Sequence, residues 1–280
     1  MATERDIERG ISALVAAYKD AVDRIRAELL RLDITDMSRA NTTAALREVA
    51  RILSELNEES AAWVAEFIPE AARAGVVKAI VDLGVVETVK EAEKIAKFNR
   101  VNANLVAAVV EDTQADLLAV TQNVDRRVKT AVRKVTADSV RANMAAGING
   151  RKTISREILA GLRRELGSAV ETGIIDAAGR RWKPEVYVDM VVRTKTAQAS
   201  RDAAVNEAVQ RGAFYGVISS HGATDACRKY EGKIVKLTPD APGDYPYIGD
   251  LPRREIFHPN CRHTVTPVRN PERLRRGNGK

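Results

Sequence analysis

The sequence predicts an α+β protein: an extended, mainly helical N-terminal body followed by a small C-terminal β-rich module. Three observations predict it. Of nine prolines, only Pro69 and Pro184 precede residue 238, and the other seven fall between Pro239 and Pro271. Proline removes a backbone donor and clashes with the preceding turn, so the first two-thirds can be helical almost without interruption and the last part cannot. Apolar residues also recur at three- and four-residue spacing over long stretches of the first part. Towards the C-terminus the pattern changes to short β-like runs separated by glycine and proline.

Taken in order, Ile7, Ile11, Leu14, Val15, Tyr18, Val22, Ile25 and Leu29 form an amphipathic stripe with charges opposite. Leu46, Val49, Ala50, Leu53 and Leu56 repeat the pattern after "NTT" (41–43), where Thr42 or Thr43 is expected to cap the helix. Leu117, Val120, Val124, Val128, Val132 and Val135 mark a third stripe within one long segment from about 86 to 146. "GING" (147–150) should break that helix, and Thr153 or Ser155 should start another that runs to about 171. A glycine-bounded turn follows in "GIIDAAGRRW", and Pro184 sits where a first helical position is expected. The alanine-rich helix after it should stop at Gly212. Three strands are predicted: "FYGVISS" (214–220), "KIVKLT" (233–238) and "HTVTPV" (263–268). The organisation expected is a long-helix body (1–172), a module with a small β knob (173–268) and a basic tail (269–280).

Hydrophobic content is ordinary at 45%, but aromatics are only 4%, so alanine and valine supply much of the apolar surface. Small apolar side chains suit helices that pack closely along their length. No uncharged apolar run approaches the roughly 18 residues that a membrane span needs. The N-terminus "MATERDIERG" carries charge from its fourth residue, unlike a secretory signal. With two cysteines a disulfide framework is not expected, and a soluble protein made in a reducing cytoplasm is the expectation.

Charge is local. Residues 1–100 carry 15 Lys+Arg against 18 Asp+Glu, a net of −3, whereas residues 126–164 carry 11 against 2, a net of +9. The last twelve residues add five positive charges against Glu272. A polyanion would feel such a segment, and the candidate nucleic-acid contacts are Arg126, Arg127, Lys129, Arg133, Lys134, Arg151, Lys152, Arg163, Arg164, Arg273, Arg275 and Arg276. The bland alternative is a solvated helix face, or one that answers the acidic residues of 1–100. Few aromatics interleave these cations, which argues against stacking on single-stranded bases. No helix-turn-helix or finger pattern supports sequence-specific recognition.

The chain's three histidines and two cysteines, His221, Cys227, His258, Cys261 and His263, all fall within 43 positions. The spacing His221-x5-Cys227 … His258-x2-Cys261-x-His263 offers five candidate ligands for a tetrahedral zinc that needs four. A knob of about 55 residues has little apolar area with which to offset its chain entropy, and small modules of that kind are often stapled by a metal. A structural zinc is therefore the expected cofactor. Two reduced packing cysteines, or a disulfide formed under oxidising conditions, are the alternatives. A catalytic reading would need carboxylates to hold a hard metal; Asp225, Asp244, Asp250 and Glu255 are near in sequence without diagnostic spacing.

The order "RTKTAQA" (193–199), "ISSHGATDACRKYEGKIVKL" (218–237) and "IFHPNCRHTVTPV" (256–268) resembles the C-terminal module of bacteriophage minor head proteins, the MuF-like head-morphogenesis family and its minor capsid branch. "AAGRRWKPEVYVDMVVRT" (177–194) looks like the approach to that module. The positions that carry the resemblance are Arg193, Thr194, His221, Cys227, Gly232, His258, Pro259, Asn260, Cys261 and His263. His263 stands where many relatives have a final cysteine; either residue can ligate zinc, which argues against an obligatory disulfide there. The resemblance implies a non-enzymatic virion protein, associated with the portal or the major capsid protein and able to contact packaged double-stranded DNA non-specifically. It would work in the head interior or at the portal vertex, after assembly in the host cytoplasm. Some relatives carry a toxin or enzymatic domain after the module, and none is expected here. Two other classes fit the residues less well: a metal-dependent nuclease acting on DNA, and a prophage DNA-binding protein outside the virion.

Overall fold

The computed structural model describes residues 3–35, 37–148, 154–171, 174–176 and 179–272. Six α-helices are seen among them: α1 (Glu4–Arg31), α2 (Arg39–Asp82), α3 (Val89–Ile95), α4 (Arg100–Ile148), α5 (Arg156–Glu171) and α6 (Pro184–Gln210). Strands β1 (Ile174–Ile175) and β2 (Arg181–Trp182) pair as a minimal antiparallel hairpin before α6. The second sheet has β3 (Tyr215–Ile218) at its centre, antiparallel to both β4 (Ile234–Lys236) and β5 (Val265–Val268). Pro267 lies in β5, an edge strand, where a missing donor is tolerated. The predicted class, a mainly helical protein with a small C-terminal β region, is the one observed.

Four local expectations change. α2 begins at Arg39 rather than after the threonines: the Ser38 hydroxyl accepts from Asn41 N (3.3 Å), and the Thr42 hydroxyl donates back to the Ser38 carbonyl (3.0 Å). α2 also runs through Pro69, which lacks only one backbone donor in a 44-residue helix. The segment from 86 to 146 is two helices. Thr88 and Glu91 form a capping box at the start of α3, and Asn99 caps α4 by accepting from Asn102 N at 2.7 Å. Gly147 is still helical, past the break expected there, while Ser155, one of the two expected starts, stands within reach of Ile158 N (3.4 Å) at the start of α5; residues 149–153, Thr153 among them, lie outside the described set.

The chain gathers into two compact units, each built from segments distant in sequence: Ile11–Trp63 with Gln114–Asp189, and Met1–Gly10 with Val64–Thr113 and Met190–Lys280. In the first unit the predicted stripes become core. Leu14, Tyr18, Ile25 and Leu29 are buried, as are Val49, Leu53, Leu56 and the whole row Leu117, Val120, Val124, Val128, Val132 and Val135. Ala50 instead faces outward, and Ile52 takes an inward place. Tyr18 is only 1% exposed, its hydroxyl 3.1 Å from Ser60 Oγ and 3.5 Å from the Leu117 carbonyl.

In the second unit α2 and α6 meet through small residues. Ala199, Ala203, Ala204 and Ala208 are buried, and a Cβ at Gly75 would stand 1.9 Å from the Ser200 carbonyl oxygen. Buried Asn102 donates to the Ala203 carbonyl (3.5 Å) and accepts from Asn206 (3.0 Å), so the close approach carries satisfied polar groups. At the end of α6, Gly212 takes φ 72 and Ala213 N reaches back to the Ala208 carbonyl (2.9 Å), the stop expected from sequence.

Two outcomes test this packing. Gly75→Ala puts a methyl group into backbone and should cost about 3 kcal/mol, measurable as a lower midpoint in denaturant melts, whereas Gly161→Ala inside α5, where nothing lies near, should hold or raise the midpoint, stabilising by up to about 1 kcal/mol. Burial pushes the Tyr18 phenol up to about 12, against the polar contact with Ser60. A raised folded value means the neutral phenol supports the fold fully below its ordinary value near 10 and that this support is lost as pH rises to about 12. Ultraviolet titration should therefore show Tyr18 ionising late with loss of helical signal, beside Tyr230, whose phenol the Glu255 carboxylate also raises, and Tyr18→Phe should remove the late step that accompanies unfolding.

Candidate metal centre

Two loops of the second unit bring the cysteines together. In the first, Asp225 caps a 3-10 turn, Ala226–Tyr230, its Oδ1 accepting from Cys227 N at 3.0 Å. That turn drives Cys227 into an apolar cluster with Ile218, Tyr230, Val235, Ile256 and Val265, leaving it 2% exposed. In the second, Cys261 N donates to the His258 carbonyl (2.9 Å), and Phe257 and Asn260 take φ of 57 and 62. Left-handed backbone is unfavourable for a bulky phenylalanine and persists only where surroundings impose it. Here the Phe257 ring lies under the Arg201 guanidinium at 4.4 Å and near that of Arg253 at 5.8 Å.

The donor atoms form a chain. His258 Nε2 lies 2.9 Å from Cys227 Sγ, Cys227 Sγ lies 3.6 Å from Cys261 Sγ, and Cys261 Sγ lies 3.3 Å from His263 Nδ1. Cys227, Cys261 and His263 can each offer a ligand atom within 4.8 Å of the other two, and His258 joins through Cys227 together with Asp225. His221 stands apart from the sulfurs: its ring lies against His263 with centroids 4.2 Å apart, and its Nδ1 is 4.0 Å from Glu231 Oε1.

Glu231, which the sequence reading did not single out, organises the other side. Its Oε1 accepts from His221 N (2.9 Å) and Ala223 N (3.0 Å) and lies 3.3 Å from His263 Nε2. Those backbone N–H groups, with His263, draw its carboxyl down to about 2. Burial, then the neighbouring Cys261 thiol, pushes the Cys227 thiol up to about 12. The Cys227 amide holds the Asp225 carboxyl below the usual carboxylate range. Of the other nearby carboxylates, Glu255 accepts from the Tyr230 hydroxyl (2.7 Å) and pairs with Lys229. Asp244 and Asp250 join none of the donor groups found among the described residues. Only the expectation that a buried histidine keeps a carboxylate on its far nitrogen could have pointed to Glu231 in the sequence.

The predicted basic contacts divide. Lys129 pairs with Asp125 (2.7 Å) and Lys134 with Glu165, and both acids lie just outside the window that made the segment look so positive. Arg141 pairs with Asp138 (2.6 Å). Among the described residues, Arg126, Arg133, Arg163 and Arg164 are exposed and make no ion pair; Arg127 is half-buried. Arg151, Lys152, Arg273, Arg275 and Arg276 lie outside the described residues.

The order of these motifs is also that of a known family: the phage minor capsid protein 2 model matches residues 35–270. The chain belongs to that family. A similar protein, described as a structural protein of Lactococcus phage LL-H, is 24% identical over 148 residues, covering 50% of this chain and 40% of the relative. The chain thus spans less than half the length of that relative. No solved structure matches it.

In this minor capsid protein the Arg-Thr pair of α6 has a physical task. Arg193 clasps Glu8 of α1 with two hydrogen bonds of 2.7 Å, which hold the Glu8 carboxyl below its usual range. Thr194 accepts from Asn260 N at 3.2 Å while its hydroxyl donates to the Met190 carbonyl at 2.6 Å. The helix therefore anchors the left-handed turn that carries His258 and Cys261. Thr194→Val removes that acceptor and should cost about 1 kcal/mol, with faster amide exchange at Asn260 and Cys261 as the local readout; Thr194→Ser should preserve both.

Proposed function

We propose that this minor capsid protein is a structural component of the phage head that docks on the portal, the major capsid protein or both, and contacts packaged double-stranded DNA without reading its sequence. The observation that carries this reading is the family match over residues 35–270, which makes the chain a structural phage protein whose natural partners are other head proteins. Long helices with close-packed apolar interiors supply the docking surface. The exposed cations Arg126, Arg133, Arg163 and Arg164 are the ones available for phosphate contact. Residence in the head interior or at the portal vertex, after assembly in the host cytoplasm, follows from the same reading. It assigns no reaction to the chain.

Co-expression with the portal and major capsid proteins of the same phage tests the partner. A complex that survives gel filtration at physiological salt is expected with at least one of them; separate elution from both would overturn the docking. Binding to a long duplex, followed by fluorescence anisotropy against salt, tests the DNA contact. Each phosphate neutralised contributes about −0.9 to the slope of log K against log salt, so replacing the four arginines with alanine should flatten it by about 3.6. An unchanged slope would remove them from the interface. Cleavage of plasmid by the purified chain with magnesium or manganese would replace the structural reading with a nuclease.

A further inference from the structure

We infer that Cys227, His258, Cys261 and His263 hold one tetrahedral zinc ion, with Glu231 and the Pro259 carbonyl orienting the two imidazoles and His221 outside the ligand set. A regular tetrahedron with Zn–S near 2.3 Å and Zn–N near 2.0 Å has ligand-to-ligand edges of about 3.8 Å for S···S and about 3.5 Å for S···N. The Cys227–Cys261 separation of 3.6 Å and the Cys261–His263 separation of 3.3 Å are each about 0.2 Å from those edges. The Cys227–His258 separation of 2.9 Å would need to open by about 0.6 Å, and His258, which groups with Asp225 and Cys227, would turn towards Cys261 and His263 to complete the set.

The far nitrogens of the rings supply an independent observation. Each ligating imidazole needs its other nitrogen to carry the proton and donate it, which fixes the tautomer and the ring plane. His263 Nε2 lies 3.3 Å from Glu231 Oε1, leaving Nδ1 towards Cys261. His258 Nδ1 lies 2.9 Å from the Pro259 carbonyl, leaving Nε2 towards Cys227. Both rings are thus set with lone pairs facing sulfur. His221 has no such placement, and its contact with Glu231 is on the carboxylate side of the cluster.

Asp225 competes for the fourth position, since its Oδ2 is 3.3 Å from His258 Nε2. Its other oxygen is committed to capping Cys227 N, and a thiolate-rich site favours the softer imidazole. Two sulfurs and two imidazole nitrogens make a closed set with no open position, which is the form of a structural zinc rather than a catalytic one. The reduced cysteines are not bonded to one another: 3.6 Å is far from a disulfide length. The inference stands apart from the portal and DNA reading, because a zinc-free head protein or a zinc-bound one of another function would separate the two.

The test uses the full chain purified under reducing conditions, with metal content measured by mass spectrometry and then cobalt(II) exchanged for zinc. The expected result is one equivalent of zinc per chain and a cobalt spectrum with intense tetrahedral d–d bands and thiolate charge-transfer bands. His221→Ala should keep one equivalent and the same cobalt spectrum. Glu231→Gln should keep the stoichiometry but bind zinc about 10- to 100-fold more weakly. Cys261→Ser should lose the metal; His258→Ala should weaken binding and shift the cobalt bands towards a site with one imidazole fewer. Chelation should open the loop 237–264 to protease while the helical circular-dichroism signal stays. Less than about a tenth of an equivalent of zinc after refolding with excess metal, iron in its place, or a Cys227–Cys261 disulfide in the freshly purified chain would overturn the inference. So would loss of metal in His221→Ala with retention in His258→Ala.

Discussion

Three strands of four, three and four residues hold the β lobe through few backbone hydrogen bonds, and the chain between β4 and β5 has to be closed by something else. The closure is the meeting of two loops at Cys227 and the turn His258–His263, with one end of that turn fastened to α6 through Thr194. Most features of the lobe follow from this constraint. The buried cluster around Ile218, Val235 and Ile256 exists because Cys227 is carried inward on a capped 3-10 turn. The left-handed backbone at Phe257 and Asn260 is tolerated because stacked arginines and a helix-borne hydroxyl impose it. Glu231 gathers two backbone N–H groups and a histidine, which together hold its carboxyl ionised.

The two compact units solve the shortage of aromatic residues in different ways. Where Leu14, Ile25, Val124 and Val132 line the interior, long stripes of branched residues fill the space and one buried tyrosine bridges to Ser60. Where α2 meets α6, volume is removed instead of added: Gly75 lets the Ser200 carbonyl approach, and alanines line the contact. Close backbone approach of this kind gains dispersion contacts over long lengths, but it tolerates no added methyl group at the crossing.

Charge carries less than its tally suggests. Lys129, Lys134 and Arg141 each have an acid within reach on the same or a neighbouring helix, so part of the basic segment is neutralised within one unit. Among the described residues of this segment, Arg126, Arg133, Arg163 and Arg164 remain exposed without an ion pair, spread over α4 and α5.

Much of this was legible in the chain itself. Helix stripes, the Pro184 start, the Gly212 stop and the three strands of the second sheet follow from period, proline and glycine, because each is decided by interactions within a few residues. The capping box at Thr88 and Glu91 was present in the letters too, but it is the break after Ile95, with Asn99 capping α4, that splits a stretch that hydrophobic period alone read as one helix. The crowding of cysteine and histidine was visible as a fact of spacing. How those donors group was not, since it depends on how two loops distant in sequence fold together; His221 lies with Glu231 and His263, and Cys227 and Cys261 with His263. The tertiary structure alone decided that Glu231 serves His263, that Arg193 reaches Glu8 across 185 positions, and that segments from both ends of the chain share one unit. Local propensity acts over a few bonds and is written in sequence order, whereas long-range contacts depend on how the whole chain closes on itself.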